Sequence, residues 1–345
     1  MKLVTINPEK STTMGGVETL IRSLHTLFEG ENYELFEHCP HKEHYAEIGY
    51  VNYQHYGKAN KFKTKLSQVS SLKSLSLTSQ DVVVLFHPND LLYLPIDVRK
   101  GCKIVLVQTN KFEVFFKPFS KLIVSLLHKD VDIFSVYTKP DEQALLALFP
   151  QFNSKVKIIP RGCKIETASS QPLLSKKLVT VARIDEGQKN FTAMVDILAK
   201  LPEDYSLDIY GDGTEQELNA LRQLIAHNNK VEFKGPTSDV ATVLRSYALF
   251  VMTSHYEGFG QTLIEARSQG LPIVAFNTFD ALPWIVEDGV NGFKVEPGNT
   301  VQFANSVQKV CENNGLYEQQ SRKALEKAKQ TEASVVDRLW LEAIA

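Results

Sequence analysis

The residues of this chain best suited to chemistry lie in SHYEGFGQTLIEARSQG, residues 254–270, where Glu257 and Glu265 bracket seven others. An ionised carboxylate only accepts hydrogen bonds and can take two hydroxyl donors, so a pair of them suits the recognition of a polyol. Between them run Gly258-Phe259-Gly260-Gln261 and then Thr262 and Leu263. Glycine lacks a Cβ, so this loop lets the main chain come close to a ligand. The composition of Thr262 to Ser268 is helical, and its first turn offers unpaired N–H groups to a phosphate or another anion. Glu257 is expected in the loop and Glu265 about two turns into the helix. Away from the glycines, the plainer reading is two solvated charges.

Three further features fall at the carboxyl ends of expected strands. Gly15-Gly16-Val17-Glu18 follows the first strand and could turn backbone N–H groups toward a phosphate, or be an ordinary glycine turn. Arg183 follows VTVA, and Lys189 comes six residues later in RIDEGQKN. Two cations converging on one anion would stabilise a departing diphosphate; taken singly, each is an ordinary surface charge. Gly211-Asp212-Gly213 follows SLDIY and is a weak signal alone. His87 ends DVVVLFH, either as a cleft residue or a structural histidine. Asp130-Val131-Asp132 has a metal-binding spacing but precedes its strand, at the wrong sheet edge, so no metal site is expected.

The elements that must position these residues alternate between strands and helices, as in doubly wound α/β sheets. Expected strands are Lys2–Ile6, Tyr33–Cys39, Ile48–Tyr53, Asp81–His87, Lys103–Gln108, Ile133–Thr138 and Val156–Pro160. A second series comprises Leu178–Ala182, Tyr205–Tyr210, Val231–Lys234, Leu249–Thr253 and Pro272–Phe276, with a mainly helical tail from Val301. Val17, Leu20, Ile21, Leu24, Leu27 and Phe28 follow helical spacing with one buried face. The polar, aperiodic run 161–176 reads as a linker. Two α/β domains facing across a cleft, 1–162 and 163–345, are expected, with the last helices from about 325 packing back on the first.

At 345 residues, two domains are the prior. Hydrophobic residues at 43% and charged residues at 23% fit a soluble globular protein, and no apolar run is long enough to cross a bilayer. MKLVTINPEK lacks a secretory core, so a cytosolic protein is expected. Four scattered cysteines form no metal pattern and read as free thiols. Residues 1–165 carry 21 Lys and Arg against 16 Asp and Glu, net +5; the remainder carries 17 against 24, net −7. A basic half suits phosphate-bearing or anionic-lipid partners, or is an ordinary solvated face. No short-period repeat is visible, and no G-x-G-x-x-G follows a strand, which argues against a dinucleotide oxidoreductase.

In this order, GGVE, the Arg183 and Lys189 pair, the Gly211 turn and the E-x7-E motif within EGFG resemble the retaining GT-B glycosyltransferases of glycosyltransferase family 4, with their glycosyl transferases group 1 domain. The likeness spans about residues 2 to 310. It implies a nucleotide-sugar donor, most often UDP-linked, held mainly by the second domain without a divalent metal or other cofactor. Glu265 would take the ribose hydroxyls, and Glu257 with the backbone of Phe259, Gly260 and Gln261 the sugar hydroxyls. Arg183 and Lys189 would grip the diphosphate with Gly16 approaching it, and the base would lie near Gly235-Pro236. The acceptor hydroxyl would attack from the face of the departing diphosphate, whose oxygen takes the proton; Glu257 would position the donor.

One departure stands out. Many relatives carry a histidine after the strand matching KIVLV, where this chain reads Gln108-Thr109-Asn110, so acceptor-side chemistry should differ there. The resemblance implies a glycan or lipid-linked acceptor in bacterial surface polysaccharide or lipopolysaccharide synthesis, and no nucleic acid. Alternatives are a nucleotide-sugar epimerase on the same scaffold or an inactive glycan-binding relative. KFEVFFKPFSKLIVSLLHK, 111–129, interleaves lysines with apolar residues, as does KANKFKTK, 58–65, with lysines. The longer run is either a peripheral contact with an anionic membrane at the inner face of the plasma membrane or an ordinary domain helix.

Overall fold

Short runs of aliphatic residues without polar alternation, such as VVVL at 82–85 and LFVM at 249–252, suit strands covered on both faces, which is the condition of a parallel sheet. The computed structural model of the chain describes residues 1–13, 15–40, 46–57 and 61–344. In it, every strand pairing is parallel. The first sheet comprises β1 (Lys2–Ile6), β2 (Glu34–Pro40), β3 (Asn52–Tyr56), β4 (Val82–Leu85), β5 (Lys103–Val107), β6 (Ile133–Val136) and β7 (Val156–Ile158), in the order β3-β2-β1-β4-β5-β6-β7. The second comprises β8 (Lys177–Val181), β9 (Ser206–Tyr210), β10 (Val231–Gly235), β11 (Leu249–Met252), β12 (Ile273–Phe276) and β13 (Gly292–Val295), ordered β10-β9-β8-β11-β12-β13.

Two compact units result, Met1–Arg161 with Asp337–Ala345, and Gly162–Val336. Each has its own core, around Val83, Leu106 and Phe134 in the first and Leu249, Val251 and Phe303 in the second. The helix Asn314–Ala328 belongs to the second unit, whereas most of Ala333–Ile344, from Asp337 onward, belongs to the first, where Lys103 Nζ donates to the Ile344 carbonyl at 3.1 Å. The fold is that of GT-B: two parallel-sheet α/β domains. Among the described residues no helix is long and apolar enough to cross a membrane. The four cysteines are buried and free.

Strand order reverses between β1 and β4 and again between β8 and β11, and ligands of open α/β sheets bind beyond the strand ends at such switch points. The loops after β8 and β11 flank the second unit's switch point.

Two expectations change. The strand expected at 48–53 runs from Asn52 to Tyr56, in register from Phe36↔Asn52 to Pro40↔Tyr56. Ile48 instead belongs to a turn whose N–H donates to Tyr53 Oη at 3.2 Å. NYQHY is too polar for its apolar pattern to set the boundary, so pairing with β2 does. The strand β13, GFKV, was not expected and exists by pairing with β12. Residues 58–60 of the basic run KANKFKTK lie outside the described residues.

Candidate active site

After β8 the chain forms one short helical turn, Glu186–Lys189, because Asp185 caps it: Asp185 Oδ1 accepts from the Gln188 N–H at 3.3 Å. Asn190, at φ 56°, ends the turn and caps the next helix, Phe191–Lys200, by accepting from Ala193 N–H. Asparagine tolerates this left-handed conformation better than most residues. The turn is stitched to the end of β11. Thr253 Oγ1 donates toward the carbonyls of Lys189 and Asn190 at 3.0 and 2.8 Å, and His255 N–H donates to the Gln188 carbonyl at 2.8 Å.

That stitching brings Lys189 Nζ within 2.6 Å of Glu257 Oε1, with both side chains largely buried. Ser254 Oγ donates to the same oxygen at 2.8 Å. Gln188 Nε2 donates to the Tyr256 carbonyl at 3.2 Å and reaches Glu257 Oε2 at 3.5 Å, while its Oε1 accepts from Arg183 at 3.0 Å. Arg183, with its side chain 63% exposed, also donates to Asp185 Oδ2 at 2.9 Å. Arg183, Gln188, Glu257 and Lys189 thus form one connected polar group. The two cations expected to converge on one anion each have a carboxylate partner here, Lys189 with Glu257 and Arg183 with Asp185. Two nearly buried opposite charges satisfy each other because leaving either alone is costly.

Glu265 is the fifth residue of the eight-residue helix Gln261–Ser268, little more than one turn in rather than two. Gln261 Nε2 lies 3.4 Å from Glu265 Oε1 and 3.1 Å from the Gly162 carbonyl, and Gln261 Oε1 is buried without a partner. Gly260 precedes this helix at φ 89°, and no side chain caps it, so its first N–H groups remain available to an anion. Phe259 and Leu263 point into the core; Leu263 N–H is used by the Gly260 carbonyl, so Leu263 is corrected from a ligand contact to a packing residue. Gly258 and Thr262 are partly exposed beside them.

Gly211 is required by close packing of the strand ends. A Cβ there would lie 1.8 Å from the Ala182 carbonyl oxygen, so the residue permits the ends of β8 and β9 to pack. Gly235, at φ 77°, ends β10, an edge strand of this sheet, and exposed Pro236 follows it.

The remaining candidates belong to the first unit. Gly15 precedes the helix Gly16–Phe28, but the Glu18 carboxylate folds back over it and also accepts from Asn7 Nδ2 at 3.0 Å. A Cβ on Gly16 would meet nothing, whereas one on Gly15 would strike that carboxylate. Glu18 therefore already supplies negative charge at the helix end, where a phosphate was expected. Gln108 is fully buried: Nε2 donates to Asp141 Oδ1 at 2.8 Å and to the Asn110 carbonyl at 3.2 Å, and Oε1 accepts from Tyr137 N–H. Its acceptor-side contact is corrected to a structural role. Asn110 Oδ1 accepts from Lys111 N–H. His87 is exposed at the end of β4, where its Nδ1 accepts from Asn89 N–H. Partial burial, with Lys117 adding to it, lowers its pKa.

Asp130 is paired with Arg99 and Lys100, and Asp132 accepts from Ile104 N–H. Among the described residues, no group of three or more His, Cys, Asp or Glu side chains could hold a metal ion. Sequence reasoning missed Gln188, Ser254 and Thr253. The only signal was their proximity in sequence to Lys189 and Glu257.

Two parallel-sheet α/β domains are the architecture of GT-B proteins. Residues 175–313 match the family described as Glycosyl transferases group 1. The chain is 29% identical to the lipopolysaccharide core biosynthesis glycosyltransferase LpsE of Rhizobium meliloti, over 44% of this chain and 43% of that protein. It is 26% identical to the GtfA subunit of the UDP-N-acetylglucosamine–peptide N-acetylglucosaminyltransferase of Streptococcus pneumoniae, over 74% of this chain and 54% of the relative. The chain thus spans about half the length of these curated relatives. In structure it resembles the apo form of the lipopolysaccharide outer core galactosyltransferase WaaB, with a TM-score of 0.79 at 20% identity, covering 100% of this chain and 99% of the other.

Proposed function

We propose that the protein is a retaining glycosyltransferase that moves a hexose or N-acetylhexosamine from a UDP-sugar to a glycan or glycolipid in bacterial surface polysaccharide or lipopolysaccharide synthesis. The observation that carries this reading is the Arg183–Gln188–Glu257–Lys189 group on the loops after β8 and β11, followed by the uncapped helix Gln261–Ser268. An ammonium has three N–H donors, so Lys189 can keep Glu257 and still donate to a phosphate oxygen. Glu257 is thereby fixed as an acceptor for sugar hydroxyls, and Glu265 takes the ribose. Arg183 and Lys189 with the helix end stabilise the leaving diphosphate, a task that requires no metal ion. The names of the relatives, which include a UDP-N-acetylglucosamine-dependent transferase and a lipopolysaccharide enzyme, support the donor and acceptor classes. The enzyme would work in the cytoplasm, against the inner face of the plasma membrane when its acceptor is lipid-linked.

Thermal unfolding with UDP, GDP and ADP, each with Mg²⁺ or EDTA, tests the donor. A ligand at 100 times its dissociation constant adds about 2.7 kcal/mol. The expected result is a UDP response that survives EDTA; no response to any nucleotide overturns the reading. A donor panel with and without acceptors then separates transfer from epimerisation, which would convert the donor alone.

A further inference from the structure

The segment after β12 adjoins the candidate site on the side of β11 away from the cations. Thr278 Oγ1 donates to the Ser254 carbonyl at 2.8 Å, and a Cβ on Gly260 would lie 3.0 Å from the Phe279 ring. The short helix Leu282–Ile285 follows and carries Trp284, whose ring centroid is 6.1 Å from that of Phe259 in the glycine loop. Phe259 is buried, whereas Trp284 is only half-buried, and its Nε1 has no hydrogen-bond partner among the described residues. Buried indole N–H groups ordinarily find a partner, so this one is free to donate to a ligand. Arg267 holds the indole from within the fold. It is fully buried on the helix Gln261–Ser268, with its guanidinium carbon 5.2 Å from the centre of the Trp284 ring. Its Nη2 donates to Thr331 Oγ1 at 3.0 Å and its Nη1 to the Ile285 carbonyl at 3.5 Å, but no carboxylate pairs with it among the described residues. A buried charge needs compensation, and here the indole takes part of that role through a cation–π contact, which strengthens away from water. The ring is thereby fixed while part of it stays in solvent.

We infer that Trp284 contacts the transferred sugar and sets which sugar is taken, with Arg267 as its positioning residue. Strand order gives the direction. In the proposed reading Arg183 and Lys189, on the loop after β8, hold the diphosphate, and Glu257, after β11, accepts from sugar hydroxyls. The next strand on that side is β12, and its loop brings Trp284. A pyranose offers an apolar C–H face to an aromatic ring and hydroxyl oxygens to an indole N–H, so one side chain can read both ring shape and hydroxyl placement. UDP alone ends at its diphosphate and leaves Trp284 untouched. The inference rests on the proposed donor site and adds the residue that reads the sugar.

The chain has two tryptophans, and the other, Trp340, is buried in the first unit, so emission can report on Trp284 directly. The test titrates the full chain with UDP and with UDP-glucose, UDP-galactose, UDP-N-acetylglucosamine and UDP-N-acetylgalactosamine, reading tryptophan emission and, by calorimetry, affinity. At least one UDP-sugar should change the emission beyond what UDP does, and Trp284→Phe should abolish that difference. Trp284→Ala should weaken binding of the same UDP-sugar about tenfold while leaving UDP within about twofold of the parent. Arg267→Met should lose the sugar-dependent part of both signals and keep UDP affinity, a split that a general loss of structure would not produce. Equal emission changes with UDP and every UDP-sugar, or a Trp284→Ala variant that still separates UDP-sugar from UDP as the parent does, overturns this inference and leaves the donor site standing. Absence of any nucleotide binding overturns both.

Discussion

Lys189 and Glu257 hold opposite charges 2.6 Å apart in a nearly dry site, and removing either leaves the other with only neutral donors or acceptors. Lys189→Met should therefore cost about 3 kcal/mol of stability by urea unfolding and lower turnover by roughly 10² or more. The double variant Lys189→Met with Glu257→Gln should recover most of that stability and none of the turnover. If activity returned along with stability, the pair would be structural only. Arg183→Ala should likewise slow turnover by about 10². Glu265→Ala should chiefly weaken UDP binding in a titration.

Asp90 offers a pH test in the first unit. Its Oδ2 is buried without a partner, and desolvation lifts its pKa to about 7 from an ordinary 3.8. Between those values the folded state holds a proton that the unfolded state has lost, so stability falls as pH rises toward and through 7. Asp90→Asn should match the parent at pH below 4 and exceed it increasingly through pH 7, by an amount on the order of a few kcal/mol at pH 8. Denaturant unfolding at several pH values reads this, and a constant difference across the range would contradict it.

Among the elements, the turn Glu186–Lys189 depends on its caps and on bonds from the end of β11. Four residues cannot sustain a helix, so the Asp185 and Asn190 caps and the bonds from Thr253 and His255 hold it. Thr253→Val preserves shape but leaves two carbonyls without that donor, which should cost about 1–3 kcal/mol. Because Lys189 then loses its fixed position, KM for the donor should rise; an unchanged KM with lowered stability would separate the turn from donor binding. Gly211 marks the same junction from the β9 side. Gly211→Ala must push the ends of β8 and β9 apart, because its Cβ would overlap the Ala182 carbonyl. A loss of several kcal/mol is expected from chemical unfolding, placing this glycine among the few exceptionally sensitive positions.

At the scale of the molecule, each unit closes its own core, and the connected cation and carboxylate residues all lie in the second. Bound UDP should therefore slow amide exchange most in residues 183–190 and 254–262. Exchange in the core strands of the first sheet should change little; protection concentrated there would move the donor site to the other unit. The first unit contributes a cluster of buried polar groups near β2. Burial lowers the pKa of His38, within that cluster, to about 4, so His38 stays neutral at physiological pH.

The sequence by itself determined the α/β class, nearly every strand and the identity of the motifs. Buried parallel strands must be continuous apolar runs, and glycine loops with paired carboxylates are local patterns. It did not determine what each motif touches. Lys189 and Glu257 are 68 positions apart, and their contact exists because β8 and β11 are neighbours in the second sheet. The same long-range packing sealed Gln108 against Asp141 and made Gly211 a spacer between strands, while a contact within one helical turn closed Glu18 over Gly15, one of the two glycines expected to receive phosphate. Hydrogen-bond partners and burial are properties of the folded neighbourhood, so only tertiary structure could separate residues that face a ligand from residues that hold the chain together.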